Sequence, residues 1–150
     1  NSTLATVSTY FLINKDRELI TLRGEMEFIE NYLFVLRVRY DDKIRLETEL
    51  VDVAECRMMI LPCALQVLVE NAVKHNEFTE SDPLKINVSL NGEYILVKNK
   101  KQPKPYSVNS TGTGLRNLSS RYKHVCDKEI LIEISENEFC VKLPIIKSKI

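Results

Sequence analysis

The run LPCALQVLVENAVKHN, residues 61–76, constrains this chain more than any other stretch. Pro62 suits the first position of a helix, where its missing N–H costs nothing. Neither Gly nor Pro interrupts the run from there to Asn76, so the spacing predicts one helix of about four turns. At about 100° per residue, Leu61, Leu65, Leu68, Val69, Ala72 and Val73 share a broad arc that must face a core. The opposite arc carries Glu70, Asn71, Lys74 and His75, with only Cys63, Ala64 and Val67 beside them. A carboxylate, an amide, an ammonium and an imidazole therefore crowd the last turns. Asn71 and Glu70 offer hard oxygens to Mg²⁺, Lys74 can neutralise a phosphate, and His75 can donate a hydrogen bond, which suits a metal–phosphate site. A polar face simply turned to water is the other reading of the same residues.

The flanking segments supply helices and strands in alternation. Residues 4–13 are apolar and Thr-rich, ambiguous between strand and helix by pattern. Thr21 is a natural N-cap for a helix running to about Tyr40. Leu22, Met26, Ile29, Leu33, Leu36 and Tyr40 form its first stripe, and Phe28, Tyr32 and Val35 a second. So broad an apolar surface points to a helix packed on two sides or placed in a dimer bundle, with a simple core helix as the alternative. Residues 43–51 alternate as a half-buried strand, and a short polar connection leads to Leu61. Strands at 84–90 and 94–97 are joined by Asn91-Gly92, a strong hairpin signal. Residues 100–113 carry Lys100, Lys101 and Lys104 with few apolar side chains, the pattern of a long functional lid. A helix opens at Gly114 and runs to about Val125, and a last hairpin joins 129–134 to 139–143. This order describes an α+β domain with a mixed sheet and helices layered on one face.

A length of 150 residues fits one domain, or one domain with a helical appendage. The formal net charge of zero gives no support to nucleic acid as a partner. Cys56, Cys63, Cys126 and Cys140 lack ligand-like spacing and read as reduced core cysteines rather than a zinc site. No apolar run reaches the ~18 residues of a membrane span. The chain starts without an initiator Met and is expected to be a fragment.

A second motif, STGTGLRNLSSRY at residues 110–122, runs from loop into helix. Glycines at 112 and 114 let backbone N–H groups approach an anion at the partly positive start of a helix. Alone, two glycines at a helix entry are weak evidence.

Taken together, these motifs resemble those of sensor histidine kinases, the LytS-type branch in particular. LVENAVKHN resembles their N-box, roughly LxPLVENAxKHG. LRGEMEFIENYLFVLRVRY resembles their LxxElxxixxYLxlqxxRF, with Arg39-Tyr40 in place of Arg-Phe. GTGLRNLSSR resembles their G2 box, GxGLxNxxxRL. The resemblance covers nearly the whole chain and is strongest at 21–40, 61–76 and 110–122. It implies the Bergerat fold of the GHKL (HATPase) proteins, a two-layer α/β sandwich preceded by a helical stalk. Residues 1–40 would be the helical tail of the dimerisation and phosphoacceptor region, and 41–150 the ATP-binding catalytic domain.

The implied activity is transfer of the γ-phosphoryl group of ATP to a histidine upstream of this chain. The implied cofactors are ATP and Mg²⁺. Implied partners are the chain's own phosphoacceptor hairpin, a response regulator and a second copy of the full-length protein. The domain would be the cytoplasmic part of a membrane-anchored parent. Asn71 would hold Mg²⁺, and Glu70 would polarise the attacking imidazole or a metal-bound water. Lys74, His75, Gly112, Thr113, Gly114 and Leu115 would hold the nucleotide, while Arg121 would be either a phosphate contact or, the favoured reading, a helix-face contact.

One departure matters. These families carry a G1 box, Asp-x-Gly-x-Gly, before the lid, its Asp accepting a hydrogen bond from the adenine amino group. Here YILVKNKKQPKP puts Asn99 at that place, with no glycine after it. Its side-chain oxygen can accept the same bond, but neutrally and so more weakly. The departure supports an alternative, a degenerate non-catalytic GHKL module for dimerisation or signalling. A third reading, a serine-directed GHKL kinase such as an anti-sigma factor, is opposed by the long helix at 21–40.

Overall fold

In the computed structural model, residues 19–50, 57–105 and 112–147 are described. Strand β1 (Ile20–Thr21) leads into helix α1 (Leu22–Tyr40), and a 3-10 turn (Asp41–Lys43) hands over to β2 (Ile44–Glu49). Next come β3 (Met58–Ile60), α2 (Ala64–His75), β4 (Leu84–Asn91) and β5 (Tyr94–Lys100). The chain continues through α3 (Thr113–Cys126), β6 (Leu131–Ile134), β7 (Glu138–Pro144) and β8 (Ile146–Lys147). Residues 4–13 and part of the expected lid, 106–111, lie outside the described residues.

A five-stranded sheet in the order β2-β4-β5-β7-β6 forms one layer. The β2–β4 pair is parallel and the other pairs are antiparallel, so the sheet is mixed as the alternation of elements anticipated. Its inner face is read off the period of two: Leu84, Ile86 and Val88 on β4, Ile95 and Val97 on β5, Val141 and Leu143 on β7 are all buried. Against that face lie Leu65, Leu68, Val69 and Ala72 of α2, Leu118 and Tyr122 of α3, and Leu22, Met26, Ile29 and Leu33 of α1. Two layers close over one core. A smaller sheet, β1-β3-β8, is antiparallel throughout.

Thr21 does cap α1, its hydroxyl accepting from Gly24 N at 3.1 Å. The first stripe of α1 shares a single core with the sheet and α2. Phe34 and Val38, by contrast, remain 55% and 73% exposed on its outer side.

Three further expectations are corrected. The connection before Leu61 contains a strand, Met58–Ile60, because Ile60 pairs with Ile20 and Met59 with Ile146 across segments far apart in sequence. The hairpin turn is centred on Gly92-Glu93 rather than Asn91-Gly92: Asn91 still pairs with Tyr94, and Gly92 takes the positive φ of 62°. Pro62 is not the first helical residue. The chain turns at Pro62-Cys63, and α2 starts at Ala64, with Cys63 as N-cap in the left-handed region (φ 64°).

The cause of that late start is tertiary. Glu25 of α1, wholly buried, accepts from Cys63 N at 3.1 Å and Leu65 N at 2.9 Å. A carboxylate from a neighbouring helix thus satisfies N–H groups at the start of α2 and favours its positive dipole end. The cap that a local Ser or Asp would provide comes from thirty-eight residues upstream.

Candidate functional site

Two adjoining cavities open along α2, sharing Asn71 and Leu115 as lining residues. The larger, about 400 Å³, is lined by Asn71, Ala72, His75, Asn76, Asn99, Lys101, Pro103, Leu115 and Phe139. The smaller, about 180 Å³, is lined by Val67, Glu70, Asn71, Lys74, Leu115 and the backbone entry Gly112-Thr113-Gly114. All nine residues singled out from the sequence fall on one or both cavities. Asn71, His75, Asn99 and Leu115 border the larger; Glu70, Asn71, Lys74, Gly112, Thr113, Gly114 and Leu115 border the smaller.

Sheet register explains Asn99. β5 runs three residues beyond the expected Val97, which places Asn99 opposite Ile86 on β4 and Phe139 on β7. It therefore continues the inward series of Ile95 and Val97 past the apolar core and is only 8% exposed. Its amide nitrogen donates to Lys100 O at 3.0 Å, which leaves Oδ1 as an acceptor for the cavity. Among the described residues that line the two cavities, Glu70 is the only carboxylate.

The end of α2 is fixed by Asn76. Its Nδ2 donates to Ala72 O at 2.8 Å, closing the helix, and its Oδ1 accepts from Gln102 N at 2.7 Å. Glu77 N donates to Gln102 O at 2.7 Å, Asn76 bridges Pro103, and the Gln102 amide reaches Glu77 O and both an oxygen of the Asp82 side chain and its carbonyl. Lys101 is held too, N to Asn137 O and Nζ to Ser135 O. Residues 101–103, with few apolar side chains to anchor them, are thus tied down by polar bonds. Asn76 itself was missed as a lining residue; its signal was a short amide just past the last periodic position, a common helix end.

The other side of the site is set by α3. Gly112 is its N-cap, with φ 69°, a conformation that favours glycine. The helix begins at Thr113, one residue earlier than expected. A Cβ on Gly114 would lie 3.6 Å from Val67 Cγ1, an ordinary contact distance, so α3 lies beside α2 here. Arg121 Nη2 donates to Pro62 O at 3.2 Å, a contact that ties α3 to the turn before α2.

Electrostatics suit an anion at the smaller cavity and an uncharged ring at the larger. His75 is pushed below its ordinary value of 6.5 by burial and by Lys74 and Lys104 nearby, so at pH 7 it is a neutral imidazole with one N–H to donate. Lys74 is exposed beside the α3 entry, where the helix start adds its own partial positive charge. Burial, and then the charge of Glu25, push the Cys63 thiol up to about 11, which keeps it inert at neutral pH. For a metal, Asn71 and Glu70 are the oxygen donors at hand. Among the described residues no three His, Cys, Asp or Glu side chains converge. One or two protein oxygens completed by phosphate and water is the donor set of Mg²⁺.

Comparison with known proteins places the fold. No family model matches the chain. A stretch of 80 residues, 53% of the chain, is 32% identical to the sensor protein kinase HptS of Staphylococcus aureus (strain USA300) and spans 15% of that protein's length. The histidine kinase AdeS of Acinetobacter baumannii superposes with a TM-score of 0.54 at 15% identity, covering 95% of this chain and 75% of that one. The catalytic domain of the histidine kinase ThkA superposes with a TM-score of 0.53 at 17% identity, covering 84% of this chain and 94% of that domain. The chain has the mixed α+β fold of histidine kinase catalytic domains.

Proposed function

We propose that this chain is the ATP-binding catalytic domain of a sensor histidine kinase, of the LytS-type branch, holding Mg·ATP across the two cavities. The observation that carries the reading is their junction: a compartment of apolar and amide groups, with His75 and Lys101, meets a compartment of Lys74, Glu70 and a glycine-rich helix start at Asn71 and Leu115. A purine suits the first and a triphosphate the second. The base would lie against Leu115 and Phe139, its amino group donating to Asn99 Oδ1. Lys74 and the N–H groups at the start of α3 would hold phosphates. Asn71 would hold Mg²⁺, which when bound neutralises charge on the phosphate oxygens.

In the transfer, a neutral imidazole nitrogen of the phosphoacceptor attacks the γ-phosphorus. The bond from that phosphorus to the bridging oxygen breaks, and ADP leaves. Glu70 accepts the hydrogen bond of the other ring N–H as positive charge develops on the imidazole. Such a step is mostly positioning and charge neutralisation. The acceptor hairpin, a second protomer and a response regulator would be its partners, with a membrane-anchored parent.

One observation favours a second reading. Asn99 is a neutral acceptor where an Asp is expected, so the chain could be a non-catalytic module of the same fold. Asn71→Ala separates a built site from a polar surface. The folded variant is expected to lose Mg²⁺-dependent ATP binding in a calorimetric titration; unchanged affinity would remove Asn71, and this site, from the account.

A further inference from the structure

Glu70 is exposed to solvent, yet its carboxylate is held from two sides. Tyr32 Oη donates to Oε1 at 3.0 Å, and Gln66 Nε2 donates to the same oxygen at 3.1 Å. Both bonds fall on Oε1, so Oε2 is the oxygen through which Glu70 can act on the contents of the smaller cavity. Tyr32 lines neither cavity. It belongs to α1, where its ring stacks on buried Phe28 with centroids 6.2 Å apart. Burial, then the charge of Glu70, drive its phenol well above the ordinary range, so it remains a protonated donor at neutral pH.

A second bond between the same two helices lies two turns earlier on α1, where Glu25 accepts from Cys63 N and Leu65 N. Helices α1 and α2 are therefore fastened at two points. One is at the start of α2 and the other on its site-bearing face. A slide or rotation of α1 breaks one of them, and the Tyr32 bond is the cheaper, being partly exposed.

We propose that Tyr32 is a positioning residue for Glu70, and that α1 sets the aim of this carboxylate at the phosphate end of the site. The inference rests on the Mg·ATP reading of that site. Glu70 is exposed and carries several single bonds; without the phenol it samples other rotamers and is aimed only part of the time. Nucleotide binding does not use Tyr32. The transfer step does.

The test uses this chain with Tyr32→Phe, Glu70→Gln and the pair combined. Tyr32→Phe keeps the stacked ring and removes only the hydroxyl. Water serves as phosphoryl acceptor: it attacks the γ-phosphorus, its proton passes to Glu70, and ADP and inorganic phosphate leave. In Tyr32→Phe, kcat for phosphate release is expected to fall on the order of tenfold, with KM for Mg·ATP unchanged. The combined variant is expected to be no slower than Glu70→Gln alone, since both act through one carboxylate. Separately, NMR of ring-labelled tyrosine should show the Tyr32 phenol ionising at lower pH in Glu70→Gln than in the unaltered chain. Unchanged kcat in Tyr32→Phe, or losses that multiply in the combined variant, overturns the inference while the site reading stands. Mg·ATP binding with no turnover by the unaltered chain also overturns it, since Glu70 then has no step to be aimed at. Absence of Mg·ATP binding is a different failure, of the site reading itself, and the inference falls with it.

Discussion

Asn99 shows how much one residue decides. Its place on β5 between Ile86 and Phe139 puts a side-chain oxygen at the mouth of an apolar cavity, without charge. Asn99→Asp restores a charged acceptor for an adenine amino group. ATP is expected to bind more tightly by about 1 kcal/mol, while GTP, which offers an oxygen at that position, is expected to bind no better. Competition titrations with the two nucleotides check this, and equal effects on both place Asn99 away from the base. His75 supports a prediction about pH. Its folded pKa lies below the unfolded value of 6.5, so near and below that pH the unfolded chain binds more protons than the folded one. Stability is therefore expected to be fully present above about pH 6.5 and to decline as pH falls through it toward the lowered folded value. Urea unfolding at pH 5.5 and 7.5, with His75→Gln as control, should show a smaller decline in the variant.

At the scale of elements, α2 depends on α1 for its own beginning. A helix preceded by Pro62 and a left-handed Cys63 has no side-chain cap of its own, and the Glu25 carboxylate takes that place. Glu25→Ala leaves two buried N–H groups without their acceptor and opens a void. A loss on the order of 3 kcal/mol in unfolding free energy is expected. Glu25→Gln, which keeps one acceptor oxygen, is expected to lose less. Equal stability of all three forms by urea denaturation would mean that another group caps α2. The same dependence explains what was legible in the sequence and what was not. The apolar arc of α2, the Thr21 cap and the Asn91-Gly92 region are local patterns, and the structure places them within a residue or two. The Glu25 cap, the β1-β3-β8 pairing and the Gln102–Asn76 tie join residues far apart in the chain, and no period or short motif encodes such pairs. Pro62 misled because a local preference was overridden by a tertiary bond.

For the molecule as a whole, the mixed sheet under three helices brings two motifs, at 70–75 and 112–115, to a common pair of cavities. The α+β class followed from the order of elements, and the Bergerat fold from the resemblance; the superpositions on AdeS and ThkA agree with both. The candidate residues could be named in advance because helical periodicity and a glycine-rich helix entry each mark their own face. That the two faces meet at Asn71 and Leu115 was not visible, since it depends on the tertiary packing of α3 beside α2. The central claim is that this junction holds Mg·ATP. Calorimetric titration of the unaltered chain with ATP, with and without Mg²⁺, tests it most directly. The account predicts one nucleotide per chain, saturating within the range of roughly 1 μM–1 mM usual for such substrates and bound more tightly with Mg²⁺. No saturable heat at millimolar ATP, or binding indifferent to Mg²⁺ and unaltered by Asn71→Ala, would contradict it.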